Sequence, residues 1–254
     1  MSGAGRGRAR DAGIQAALLA LVLAAWEGLS RAGVIDPFYL PPPSRVWAAL
    51  AQLFEGGDIW AHMGATFGEA VLGLVIGSAA GCLLAVLAVA ARPAALLLQP
   101  VMAALNAVPR IVLAPLLVIW FGIGSASKVA LAVLLVSVLM FFAVFSAIAQ
   151  VDRRLVDRVR TLGGGRWLLL REVYLPSVAA LMLSSLRVAV GFAFTGAIVG
   201  EFVAASQGLG YLLSFAQSSF NAALTLALVG LIVAFVMLLL GAAGWVERRL
   251  LRWR

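Results

Sequence analysis

The chain has 254 residues, 63% of them hydrophobic and only 12% charged, with a mean hydropathy of +1.06. That composition lies far from a soluble globular average and describes an integral membrane protein. The net charge of +8 does not indicate a nucleic-acid partner, because the arginines stand beside apolar runs instead of forming one patch with interleaved aromatics.

Arg6, Arg8 and Arg10 precede the first apolar run, 13–30. This order copies the basic and hydrophobic regions of a signal peptide, but Trp26 and Glu27 stand where a short uncharged cleavage region is needed, so a retained anchor is expected. Pro41, Pro42 and Pro43 then stiffen an extended segment. Ser44 offers an N-cap to a helix with Val46, Trp47, Leu50, Leu53 and Phe54 on one side, expected to lie along the outer membrane interface. Further spans are expected at 66–91, 94–121, 128–150, 177–200 and 222–246, each near or above the roughly 20 residues that cross about 30 Å of hydrocarbon. The fold class is therefore all-α: a polytopic membrane protein of about six spans, read as one membrane domain over 1–254.

In the second span Gly73, Gly77 and Gly81 line one face and predict close approach of another helix. Cys82 beside them reads as an inert packed thiol. Pro100, Pro109 and Pro115 predict a kinked or broken third span. In the fifth, Gly191, Gly196 and Gly200 fit either helix packing or a pathway wall. Trp26, Trp60, Trp120 and Trp245 fall near span ends, as in an aromatic belt.

Basic residues set the orientation, since short positively charged loops stay in the cytoplasm. Arg6, Arg8, Arg10, Arg92, Arg153, Arg154, Arg158, Arg160, Arg166, Arg171, Arg248, Arg249, Arg252 and Arg254 put 14 of the 19 basic residues on one face. That face is expected to be cytoplasmic, with both termini on it.

Polar groups inside the spans are few. Arg187 lies about ten residues, or roughly 15 Å, into the fifth span. A charge at that depth faces protein or a wet cavity, so Arg187 either bonds carbonyls or a carboxylate between helices or attracts an anion along a translocation route. Arg110 follows Pro109 at a free helix end, next to Asn106, and either packs in the bundle or contacts solute. Glu201 ends the fifth span and is read as pairing with a basic group or meeting an external receptor. Glu27 and Glu69 read as interfacial, and His62, the only histidine, as a surface residue. No serine, cysteine or acid is placed to form a catalytic set with His62, so no enzyme is expected. No cysteine cluster offers a metal site, and no glycine-rich phosphate loop ending in Lys-Ser or Lys-Thr appears. No cofactor is expected.

The one long polar island, Val151 to Pro176, contains six arginines, three acids and the run Gly163, Gly164, Gly165. Leu155, Val156, Val159 and Leu162 follow helical spacing. The glycines supply a turn, and Arg166 to Tyr174 form a second short helix ending at Leu175 and Pro176. The apolar strip either packs beneath its own membrane helices or inserts into a groove on another protein.

Gly163, Val173, Leu175 and Pro176 reproduce the spacing of a cytoplasmic signature: Glu-Ala-Ala, three residues, Gly, nine residues, Ile-x-Leu-Pro. The chain resembles importer permeases of the ATP-binding cassette class, in particular those for taurine, alkanesulfonates and nitrate, also through Leu40 to Ser44, Pro115 to Gly124, and Ser127 with Lys128. The resemblance implies the type I permease fold and coupling helices that seat in an ATP-hydrolysing subunit. It implies Leu155, Asp157, Arg158, Val159, Leu162, Gly163, Gly164, Arg166, Trp167, Leu175 and Pro176 as docking residues. Asn106, Arg110, Arg187 and Glu201 are candidates for the path. Implied partners are two ATP-binding subunits, an extracytoplasmic substrate-binding protein, a second permease copy and membrane lipid. The chain departs from the signature where Asp157, Arg158 and Val159 replace Glu-Ala-Ala, which calls for a matched groove on the partner. An ion-coupled secondary transporter and a membrane-embedded enzyme are the rival readings.

Overall fold

The computed structural model describes residues 3–250. The side chains of Arg6, Arg8, Arg10, Arg110, Arg153, Arg166 and Arg248, and the whole of Arg252 and Arg254, lie outside the described residues. All regular elements among the described residues are helices. The chain groups into two compact units, Met1–Ile59 with Leu213–Leu231, and Trp60–Leu212 with Ile232–Arg254.

In the first unit, α1 (Gly3–Arg31) and α2 (Pro43–Glu55) are tied by one carboxylate. Glu27 accepts from the Ser44 amide at 3.0 Å and from the Ser44 hydroxyl at 2.8 Å, and pairs with Arg31 Nε at 2.6 Å. Ser44 is therefore not the N-cap; that position belongs to Pro42, with Pro43 inside the first turn. Proline suits this place because the first amides of a helix have no intrahelical partner to lose.

The second unit is built on α3 (Ile59–Ala90), α4 (Arg92–Ala107), α5 (Arg110–Phe121), α6 (Ser125–Ala149) and α9 (Leu175–Val203). The helix α6 packs against both α3 and α9, which also meet each other at Phe67 and Phe194. A Cβ on Gly73 would collide with Ala132, one on Gly77 would meet Val136 at 2.8 Å, and one on Gly81 would meet the Ser137 carbonyl at 2.5 Å. From α9, Gly196 would meet the same Ala132 at 2.6 Å and Gly200 would meet Lys128 at 3.1 Å. The small residues let backbones close on α6 from both helices, which multiplies dispersion contacts where lipid removes any hydrophobic gain. Gly191 faces open space, so the fifth-span glycines divide between the packing and the cavity reading. Phe141 stacks on Phe145 with centroids 5.8 Å apart and meets Phe142 edge-on at 5.3 Å, filling the lower core.

Gly13–Arg31, Ile59–Ala90, Ser125–Ala149, Ser184–Val203 and Ala222–Trp245 are each long and apolar enough to cross a bilayer. The third expected span is the broken one: Arg92–Ala107 and Ile111–Phe121 meet at 108°. The break falls at one proline of the three. Pro109 bars its predecessor from helical backbone, and Val108 is extended at φ −70°, ψ 130°. Helices α4 and α5 run on through Pro100 and Pro115.

Candidate functional site

Between α6 and α9 lie α7 (Arg153–Thr161), α8 (Arg166–Leu169) and a π-helical turn, Leu170–Tyr174. Asp152 starts α7 by accepting the Arg154 amide at 2.8 Å, an N-cap that satisfies one orphan donor. Gly163 then takes φ +81°, backbone that a side chain would strain. The second helix does not end at Leu175 and Pro176 as expected; it passes through the π turn straight into α9. Pro176 sits in the first turn of α9. The wider π turn precedes the residue that has no amide to donate, so the chain is re-phased instead of interrupted.

The apolar strip of this loop divides into an inner and an outer set. Val156, Leu169 and Val173 are buried against each other, with Val151, Val159 and Tyr174 around them. Leu155, Leu162, Trp167 and Leu175 point outward, Leu162 at 79% and Trp167 at 74% exposure. Of the proposed docking residues, Asp157, Arg158, Gly163 and Pro176 are also exposed. Val159 and Gly164 are half-buried: Val159 packs on the loop's own core, and a Cβ on Gly164 would meet the Val159 carbonyl at 2.8 Å. They shape the platform from within. The Arg166 side chain lies outside the described residues.

At the opposite end of the same helices is a buried polar cluster that sequence reasoning largely missed. Thr66 (0% exposed), Glu69 (6%), Lys128 (1%) and Glu201 (1%) are all enclosed. Three successive amides at the start of α10 (Leu209–Ser218) are held by side chains. Gly208 donates to His62 Nδ1 at 3.0 Å, Leu209 to Thr66 Oγ1 at 2.9 Å, and Gly210 to Glu201 Oε2 at 2.7 Å. Helix N-terminal amides lack intrahelical acceptors, and burial makes their satisfaction obligatory. Acceptance by Nδ1 puts the neutral imidazole proton on Nε2, and the ring stacks on Tyr211 with centroids 5.9 Å apart. Lys128 donates to the carbonyls of Ile123 and Gly124, the latter at 3.0 Å, and lies near both carboxyl groups. Glu69 Oε2 and Glu201 Oε1 are buried without a hydrogen-bond partner among the described residues.

This geometry corrects two expectations and narrows a third. His62 is an acceptor for the chain turn and not a bare surface residue. Glu69 is buried, not interfacial. Glu201 is enclosed beneath residues 208–210, where a Cβ on Gly208 would strike its carboxyl group, and Lys128 lies near it, which fits the first of its two readings, a basic neighbour. The overlooked signal was spacing: His62, Thr66 and Glu69 continue the stripe of Gly73, Gly77 and Gly81 on one face of α3.

Of the other path candidates, Asn106 is exposed near the end of α4, and the Arg110 side chain lies outside the described residues. Arg187 borders a cavity of about 460 Å³ between α9 and α11 (Ala222–Leu250), with Gly191, Thr195 and Leu240. Its guanidinium rests near Gly244 and makes no ion pair among the described residues.

The helical order and the loop between α6 and α9 have counterparts among known proteins. Residues 73–252 match the family described as the binding-protein-dependent transport system inner membrane component. The chain belongs to that family. It is 33% identical to a riboflavin transport system permease protein of Chloroflexus aurantiacus, over 92% of this chain and 88% of that one. It is 27% identical to the taurine transport system permease protein of Escherichia coli, over 92% and 87% respectively. In structure it is similar to a crystal structure of an amino acid ABC transporter, with TM-score 0.66 and 17% identity, over 79% of this chain and 97% of that one. The fold is thus that of type I importer permeases. The chain is an inner-membrane permease subunit of the ATP-binding cassette importer class, and Gly163 to Pro176 is the part of the permease where its signature spacing falls.

Proposed function

We propose that two copies of this permease enclose an alternating-access pathway for a small anion, such as a sulfonate, taurine or nitrate, driven by ATP-binding subunits that grip the 151–176 loop. The carrying observation is the split of that loop into a buried base, Val156, Leu169 and Val173, and exposed apolar tips at Leu155, Leu162 and Trp167. A rigid base with protruding large side chains is the form of an anchor that fits a groove and transmits force through it. Arg158 adds charge at the rim, where it selects a matched subunit more than it holds it. Closure of the ATP-binding subunits moves the loop as a lever on α6 and α9, and opens the bundle toward an extracytoplasmic binding protein; hydrolysis reverses it. Anion preference is supported by Arg187, which makes no ion pair among the described residues and lies beside Gly191 and Thr195. The loop face, with both termini, is cytoplasmic by its arginines.

The test is uptake by permease reconstituted with its ATP-binding subunit and binding protein, together with crosslinking from Leu162→Cys and Trp167→Cys. ATP-dependent uptake and capture of the ATP-binding subunit are expected. Uptake by the permease alone on an ion gradient, or no capture in intact cells, overturns the reading. For Arg187→Leu, uptake falls with expression intact; unchanged uptake removes Arg187 from the path.

A further inference from the structure

Two adjoining cavities open at the loop end of the second unit. The first, of about 740 Å³, has apolar walls from Val89, Phe145 and Ile148 and carries Arg92, Asp157 and Arg160. The second, of about 370 Å³, is walled by Val86, Val144, Val178 and Met182 and has no charged residue. They share Val89, Ile148 and Tyr174, so a charged chamber continues into an apolar one along α3, α6 and α9. Arg92, Asp157 and Arg160 make no ion pair among the described residues.

We propose that this composite groove binds a zwitterionic aminophospholipid from the leaflet on the loop side. Two guanidinium groups on one chamber match a phosphodiester, which accepts charge-assisted bonds from planar donors. The carboxylate of Asp157 in the same chamber opposes a purely anionic ligand and matches a primary ammonium. A phosphoethanolamine headgroup carries both charges. The uncharged chamber borders membrane-spanning helices and takes acyl chain, a demand that no soluble phosphate makes. Val156 and Asp157 of α7 line the charged chamber, so bound lipid braces the coupling helix from the side opposite its exposed tips.

The test uses permease purified with the subunits that accompany it and reconstituted with phosphatidylethanolamine, phosphatidylglycerol or phosphatidylcholine, with retained lipid read by native mass spectrometry. Phosphatidylethanolamine is retained preferentially. Arg92→Ala and Arg160→Ala each lower its retention about fivefold, the effect of one basic residue at a membrane surface. Asp157→Asn removes the preference over phosphatidylglycerol. Val178→Trp fills the apolar chamber and expels lipid without altering a charge, which keeps the proposal decidable if an arginine variant fails to assemble. Retention unchanged in these variants overturns the site. So does displacement by phosphoethanolamine alone as readily as by whole lipid, which points to a soluble ligand. Disulfide formation between Val86→Cys copies that is indifferent to added lipid assigns the groove to contact between permeases and also overturns it.

Discussion

The two ends of the central helices treat polar and apolar groups in opposite ways. At the α10 end, Thr66, Glu69, Lys128 and Glu201 are sealed inside, and side chains from α3 and α9 replace water as partners of backbone amides. At the loop end, apolar Leu162 and Trp167 stand outside while charges ring them. A buried polar cluster gains by fixing one geometry, since each member left unpaired is costly. An exposed apolar tip gains only when something covers it. The first end holds itself; the second leaves its largest apolar side chains uncovered, which is what the proposed docking would use.

That contrast breaks most readily at Gly208. Its φ of +120° and its contact with Glu201 leave no room for a side chain, so Gly208→Val is expected to cost about 3 kcal/mol, combining overpacking with backbone strain. A thermal-shift measurement on purified permease reads this as a lowered melting temperature; an unchanged one means the end is not self-locking. Thr66→Val is close in shape but strands the buried Leu209 amide, for about 2 kcal/mol, measured the same way.

The loop end should show the reverse signature. Trp167→Ala leaves the melting temperature of isolated permease within about 0.5 kcal/mol, as exposed substitutions do. It weakens binding of the ATP-binding subunit by about 2 kcal/mol, the loss of an aromatic anchor, in a pull-down titration. Equal effects on both quantities would erase the distinction between the ends. Smallest is Gly163→Ala, about 1 kcal/mol of local strain at φ +81°, read as slower ATP-driven uptake with insertion intact.

Much of the architecture was legible beforehand because membrane burial writes long unambiguous signals. The charge-free runs at 129–149 and 222–244, the glycine stripe of α3 and the arginine-rich island needed no tertiary knowledge. The break in the third span was legible as well, though not which of three prolines makes it: only Pro109 coincides with extended backbone at its predecessor. His62 and Glu69 were misread because their importance rests on residues 208–210 and Glu201, over 130 positions away in the chain. The place of Val159 stayed open for the opposite reason, since periodicity names an apolar strip but not which edge of it the neighbouring π turn covers.

Sequence alone settled what solvent each segment must inhabit, because transfer of apolar residues and of arginines between water and hydrocarbon is a property of the residues themselves. It also settled the family, through spacing around Gly163 and Pro176. Tertiary structure decided which polar groups face one another, and so separated the enclosed Glu201 from the accessible Arg187. Hydrogen bonds are directional and short, and whether a partner stands within 3 Å depends on how α3, α6 and α9 pack, not on the residue that needs it.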